Sequence, residues 1–315
     1  MNRKGFAIMF DWIFSLAAGV LIFSFLIYFA VQHTDLFGKV TARVVGEELD
    51  ILFSGYETTQ TKSMLDFGKD VKLGFSCDEK NKRQRFTIND REGKTLWGKI
   101  IFAPGEIKND KINVATASWD VPFRAANFIY LWDKKYVLTG DIPDINFLNN
   151  FKKEDIGNTA NIRFVDDPSL SDDYGTGECP NDFGFQHEKI IYYDEDSSGD
   201  FSGYVCFEDD DRERHRSFFY GEAMMIGAIF MDNVEDFECV KSIAVDRLKI
   251  VNDIYREKKD KIVSLESCDK FGRYNKVFHD TITLDKLNSL DFDNQVKLVE
   301  RANENLIREG CAGVY

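Results

Sequence analysis

The stretch FAIMFDWIFSLAAGVLIFSFLIYFAVQ, residues 6–32, governs the reading of the whole chain. From Trp12 to Val31 it carries no charged side chain. Twenty helical residues rising about 1.5 Å each span about 30 Å, the thickness of a bilayer hydrocarbon core. The spacing therefore predicts one transmembrane helix over Phe6–Val31, with residues 1–35 as cytoplasmic tip and anchor. Arg3 and Lys4 precede the run, and no cation follows it until Lys39. Positive charge stays on the cytoplasmic side, so the N-terminus is expected inside and everything after Val31 outside. A cleaved secretory signal fits poorly, because its apolar region is only about 7–15 residues long and ends at small residues. Here Gln32-His33-Thr34-Asp35 follows.

Asp11 interrupts the apolar run about one turn in. A carboxylate in lipid is costly unless it is shallow, neutral or paired. It sits at the interface in one reading and pairs with a cation of a neighbouring chain in the other. Arg3-Lys4-Gly5 followed by Phe6 and an embedded acid resembles the N-terminus of type IV prepilins. That resemblance implies cleavage after Gly5, a new ammonium at Phe6, and assembly with pilin-like subunits through Asp11. Asp11 would be sixth in the mature chain, where bacterial pilins place the acid fifth.

After the anchor the sequence is that of a folded, acidic body. The chain is 43% hydrophobic with 28 Phe, and its net charge is −14. So negative an average predicts repulsion of nucleic acid and of anionic headgroups, and favours cations or basic partners. Six cysteines, Cys77, Cys179, Cys206, Cys239, Cys268 and Cys311, all follow the apolar run. An even number outside the cytoplasm argues for disulfides, and no Cys-x-x-Cys pair suggests zinc. The expected pairs are Cys239–Cys311, Cys179–Cys206 and Cys77–Cys268.

Periodicity predicts an α+β fold. Residues 36–56 carry apolar positions at helical spacing and read as a stalk helix. Residues 57–216 read as a β-rich body. Alternation marks strands at Val71–Phe75, Arg85–Ile88, Trp97–Phe102 and Ile112–Val121, with turns such as Asn89-Asp90 between them. Arg124–Leu131 reads as a helical turn or two. Tyr136–Thr139, Asp144–Phe151 and Asn161–Val165 read as a strand–helix–strand unit with parallel strands. Lys189–Tyr193 and Gly203–Phe207 read as a hairpin. Residues 217–315 read as helical: a short apolar core segment, Phe218–Met231, then amphipathic helices over Asp232–Leu265 and Asp285–Arg308 forming a C-terminal helical hairpin.

The hairpin turn carries the best metal candidate. Asp194, Asp196 and Ser198 occupy positions 1, 3 and 5 of a calcium-loop pattern, Gly199 position 6, and Asp200 adds an oxygen donor. Val205 stands at position 12, where a bidentate Glu belongs, so a solvated acidic turn is the competing reading. No Gly-x-Ser-x-Gly, Walker loop or His-Glu-x-x-His is present, and no catalytic residue is assigned.

Other landmarks are Val121-Pro122-Phe123, Ile129-Tyr130-Leu131, Cys179-Pro180, Val205-Cys206-Phe207, Gly227-Ala228-Ile229-Phe230, Phe237-Glu238-Cys239-Val240 and Gly310-Cys311. Together they resemble a family of archaeal single-span extracytoplasmic proteins with no assigned activity. The resemblance implies an archaeal anchored envelope protein. The sequence thus predicts a non-enzymatic structural or interaction protein of the cell envelope, with the lipid bilayer and pilin-like subunits as partners. The alternative is an anchored binding module for a cation, a small solute or a partner protein.

Overall fold

The computed structural model describes residues 16–29, 46–58, 62–145, 148, 159–166, 179, 189–195, 201–208, 214–265, 290–308 and 312–315. The chain divides into two compact units, Met1–Leu49 and Asp50–Tyr315. In the first, residues 16–29 form a helix, α1. The remainder of the expected span, 6–15 and 30–31, lies outside the described residues. Among the described residues no helix is long and apolar enough to cross a membrane. A second helix, α2, covers 46–56. The rest of the expected stalk, 36–45, lies outside the described residues. Within the second unit Phe53 of α2 is fully buried against the Phe86 ring, 6.4 Å away between centres.

The second unit is built on two sheets. The first has the order β3-β2-β1-β5-β6-β4. Its strands are β1 Lys62–Asp78, β2 Arg83–Ile88, β3 Arg91–Leu96, β4 Ile101–Phe102, β5 Glu106–Asp120 and β6 Arg124–Trp132. The β2–β3 turn follows from its residues. Asn89 and Asp90 both take the left-handed region, at φ 51° and 59°, as a two-residue hairpin turn requires. Along β2, Gln84, Phe86 and Ile88 are buried while Arg83 and Arg85 are exposed. Gln84 does more than fill space. Its amide donates to the Ile101 carbonyl at 2.5 Å and accepts from the Ile101 N–H at 2.8 Å. One side chain on β2 therefore ties that end of the sheet to β4 at the other end, and the sheet curls towards closure.

Two sequence expectations are corrected here. Arg124–Leu131 is not helical but lies in β6, antiparallel to β5 from Asn113↔Trp132 to Asp120↔Arg124. Phe128 to Trp132 are all buried. A strand covered on both faces loses the alternation that marks a half-buried one. Trp97–Phe102 is not one strand: β3 stops at Leu96 and only Ile101–Phe102 pairs again, in parallel with β6. Gly98, at φ +71°, turns the chain between the two.

The second sheet has the order β11-β10-β9-β8-β7. Its strands are β7 Lys135–Gly140, β8 Thr159–Asp166, β9 Lys189–Glu195, β10 Phe201–Glu208 and β11 Arg214–Tyr220. β7, β8 and β9 run parallel, and β9–β10–β11 form an antiparallel meander. The expected parallel strand pair and hairpin are therefore present. Of the helix expected over Asp144–Phe151, residues 146–147 and 149–151 lie outside the described residues.

Among the described residues three further helices follow: α3 Glu222–Phe230, α4 Val234–Leu265 and α5 Leu290–Arg308. Eight of the nine α3 residues are buried, as a helix apolar on every face must be. The Trp119 indole N–H donates to the Tyr220 carbonyl at 2.8 Å and the Tyr130 hydroxyl to the Ala223 carbonyl at 2.7 Å, fixing its start to the first sheet. Trp119, Phe128 and Tyr130 share one core with Ile191, Val205 and Phe219 of the second sheet, with α3, and with Val240, Leu248 and Val296 of α4 and α5. The β-rich body expected over 57–216 and the helical region expected over 217–315 thus share a core, and β11 spans the boundary between them. The last residues bind both long helices: Lys258 of α4 donates to the Val314 carbonyl at 2.6 Å, and Asn303 of α5 accepts from the Val314 N–H at 2.7 Å.

Candidate functional site

Among the described residues of the second unit, three of the arrangements that bring reactive or charged side chains together bear on function. The first lies between β11 and α4. The Lys241 ammonium donates to Ser217 Oγ at 3.1 Å, to Glu238 Oε1 at 2.6 Å and to the Phe218 carbonyl at 3.1 Å, and Ser217 Oγ donates to Glu238 Oε1. Burial pushes the Lys241 amine below its ordinary range, while the Glu238 charge and hydrogen bond pull it back up. A serine hydroxyl beside a lysine amine is the pairing that can activate a nucleophile. Here Ser217 is 2% exposed and Lys241 4%, which keeps the hydroxyl away from any substrate. The cluster instead supplies a donor to the Phe218 carbonyl of β11, the strand at one end of the second sheet.

The second is Lys189 of β9, buried under the C-terminal end of α3. Its ammonium donates to the carbonyls of Ala228 at 3.4 Å, Ile229 at 3.0 Å and Met231, and sits 5.4 Å from the centre of the Phe207 ring. The last carbonyls of a helix lack intrahelical donors and carry partial negative charge, and Lys189 answers both needs. Burial pushes its amine down to about 8, against the upward pull of Asp232 and with the downward push of Lys134. This is a cap for α3.

The third arrangement is exposed. The segment Lys80–Lys99 holds seven cations and two acids, a net of +5 in a chain of net −14. The β2–β3 hairpin turns much of this charge outward. Arg83 and Arg85 project from the exposed face of β2. Trp97 is 64% exposed, and the Arg83 guanidinium lies over its ring, 4.1 Å from the centre. Arg85 stands opposite Thr95 of β3 and Ser76 of β1. Beside them Lys94 and Lys99 both reach the Asp50 carboxylate on α2, at 2.5 and 2.6 Å. Burial pushes the Asp50 carboxyl up, but the hydrogen bonds from Lys94 and Lys99 outweigh it and hold it below its ordinary value. Lys82 pairs with Asp246 of α4 at 2.7 Å. The result is an exposed face with two arginines and an aromatic ring, held to α2 through Lys94 and Lys99 and to α4 through Lys82. The signal was present in the sequence as a run of cations, but whole-chain charge averages it away.

Among the residues singled out by sequence, Cys179 and Cys206 are bonded as expected. Cys239 is bonded to Cys77, which corrects the expected Cys239–Cys311 and Cys77–Cys268 pairs. The reason is tertiary: the end of β1 lies against the first turns of α4, a proximity that no sequence spacing encodes. Cys268 and Cys311 lie outside the described residues. Asp194 belongs to β9, opposite Ser202 of β10, so strands flank the candidate calcium turn. Asp196, Ser198 and Asp200 lie outside the described residues, as do Gly5, Phe6 and Asp11. Among the described residues no group of three or more His, Cys, Asp and Glu side chains is placed to hold a metal ion. No known protein family, curated protein or solved structure matches the chain.

Proposed function

We propose that this chain is a membrane-anchored, extracytoplasmic structural or interaction protein of the cell envelope, with a pilin-like N-terminus. The observation that carries the reading is the apolar helix. In α1, ten large apolar side chains from Leu16 to Phe29 are each 49–72% exposed. Burying such surface is worth about 25 cal/mol per Å², so a helix apolar on every side calls for a bilayer or for sister helices. In the sequence the charge-free run from Trp12 to Val31 has the number of residues that a helical span needs, and the cations before it suit an inside N-terminus. The two disulfides add weight, because such bonds persist where the surroundings are oxidising.

Interaction rather than catalysis is favoured by the chemistry at hand. The serine–lysine pair is sealed in the core, whereas the basic aromatic face is open. In the pilin-like version of the reading, cleavage after Gly5 frees the Phe6 ammonium to pair with Asp11 of a neighbour. The test is protease treatment of right-side-out vesicles, followed by N-terminal sequencing of the anchored fragment. Digestion of the body from outside is expected, with a fragment beginning at Phe6 if the chain is processed. Full protection of the body until lysis would refute the topology, and a fragment beginning at Met1 would refute the processing.

A further inference from the structure

We infer that the basic face of the β2–β3 hairpin docks onto the anionic headgroups of the membrane that holds the anchor, with Trp97 seated at the interface. The inference rests on the anchored reading above and adds a second membrane contact to it.

Four observations support the choice of partner. In an acidic chain the face keeps Arg83 and Arg85 exposed beside Trp97, while Lys82 is paired with Asp246 and Lys94 and Lys99 share Asp50. Screening limits electrostatic reach to about 8 Å at physiological salt, so a surface touching this face experiences its local charge and not the average. Its chemistry is that of an interfacial contact: a tryptophan with an apolar body and one polar N–H, bordered by arginine and lysine. Arg83 stacked on Trp97 holds the ring at the surface, 64% exposed. The tether is also short. Fourteen residues, 32–45, separate Val31 from α2, and even fully extended they reach about 50 Å. Lys94 and Lys99, which flank Trp97 in sequence, both bond to Asp50 on α2, so the face adjoins that helix. Each basic side chain near an anionic surface favours contact by about fivefold in occupancy. An already tethered body therefore needs only a few such contacts to lie down on the bilayer.

The experiment uses the full chain carrying Trp12→Phe, which silences the tryptophan of the anchor. It is reconstituted into vesicles of phosphatidylcholine alone, or of phosphatidylcholine with phosphatidylglycerol. Each vesicle is prepared with and without brominated acyl chains, which quench nearby indoles. Trp119 and Trp132 are buried and give the baseline, and Trp97→Phe identifies the Trp97 emission. With phosphatidylglycerol, Trp97 emission is expected to shift to the blue and to be quenched by bromolipid. Added salt should reverse both effects, and Arg83→Glu with Arg85→Glu should return the signal to that in phosphatidylcholine. The salt titration of the otherwise unaltered chain stands on its own if the double variant folds poorly. A chain that resists alkaline carbonate extraction while Trp97 stays unquenched would overturn this inference and leave the anchor intact. A chain that carbonate strips from the vesicles would overturn the anchored reading itself. Equal quenching in both lipids would remove the anionic partner. A shift that follows protein density and not lipid charge would put a second copy on the face, again against the inference.

Discussion

Cys77, the penultimate residue of β1, is bonded to Cys239 in the second turn of α4, with 6.0 Å between their Cα atoms. The bond fastens the first sheet to the longest helix across 162 residues of sequence. In the chain-entropy account, closing a loop that long restricts the unfolded state by about 5 kcal/mol, against about 3.5 kcal/mol for the 27-residue separation of Cys179–Cys206. Cys77→Ser with Cys239→Ser is therefore expected to destabilise the protein more than Cys179→Ser with Cys206→Ser. Urea unfolding of both pairs under non-oxidising handling checks the ranking, and non-reducing peptide maps check the connectivity. A Cys239–Cys311 peptide would contradict the structure directly.

Gln84 offers a second point of leverage. Its side chain is 4% exposed and satisfies both backbone groups of Ile101, which is itself buried. Gln84→Ala leaves an N–H and a carbonyl unpaired, at about 1–3 kcal/mol each. The expected outcome is a loss of about 2–4 kcal/mol with fast amide exchange at Ile101, while exchange in the second sheet follows only the global loss. Gln84→Glu keeps both a donor and an acceptor while its carboxyl is protonated, so its effect should be small at acid pH and should grow as the carboxyl ionises and loses the donor to the Ile101 carbonyl. Unchanged exchange at Ile101 in Gln84→Ala would show that β4 is held by β6 alone.

Lys189 makes stability depend on pH in a stated direction. Its amine falls from an ordinary 10.5 to about 8 in the fold. Between those values the unfolded chain binds a proton that the folded chain has released, so stability rises as pH increases through that window. The gain is on the order of 3 kcal/mol by the upper end. Above pH 10 the buried hydroxyls of Tyr130 and Tyr136, raised by burial, act oppositely, because only the unfolded chain then ionises them. Thermal melts of the native protein and Lys189→Met between pH 7 and pH 9.5 should diverge, with the rise steeper in the former, because in the latter only groups such as Lys241 contribute to it. Parallel curves would mean that the carbonyls of α3 hold the proton on Lys189 throughout.

Much of the second unit is legible in the sequence where one face of an element meets water. β2 alternates, α4 and α5 carry apolar residues at helical spacing, and β9–β10 pair across their acidic turn. Legibility fails where both faces are covered. β6 hides its period because Phe128, Tyr130 and Trp132 enter the shared core while Ile129 and Leu131 are buried on the other side. It fails again for pairings set by tertiary proximity, as with Cys77 and Cys239. The basic hairpin was readable in principle, since seven cations in twenty residues are visible without coordinates. What the sequence could not supply is that the β2 register turns Arg83 and Arg85 to one side and stacks Arg83 on Trp97.

Gly227 in α3 tests how tightly the two sheets grip their central helix. A methyl group added there would lie 2.7 Å from two atoms of the Phe102 ring and 2.8 Å from a third. Phe102 is fully buried, packed against Phe128 at 5.1 Å and Phe237 at 6.0 Å between ring centres, so it has little room to withdraw. Two effects oppose each other in Gly227→Ala. Alanine favours a helix interior over glycine by about 1 kcal/mol. Forcing an extra carbon into a packed core costs about 1–3 kcal/mol. At separations below van der Waals contact with a ring that cannot turn aside, the second effect should win, and the substitution should lower stability by about 1–2 kcal/mol. Phe102→Leu alone should also destabilise, because it opens space beside Gly227. Combined, the two changes should lose less than the sum of their separate costs, since the added methyl then fills the space the ring vacates. Urea unfolding of the two single variants and the double variant closes the cycle. Strict additivity would show that Gly227 and Phe102 do not limit one another, and that α3 can shift between the sheets at little cost.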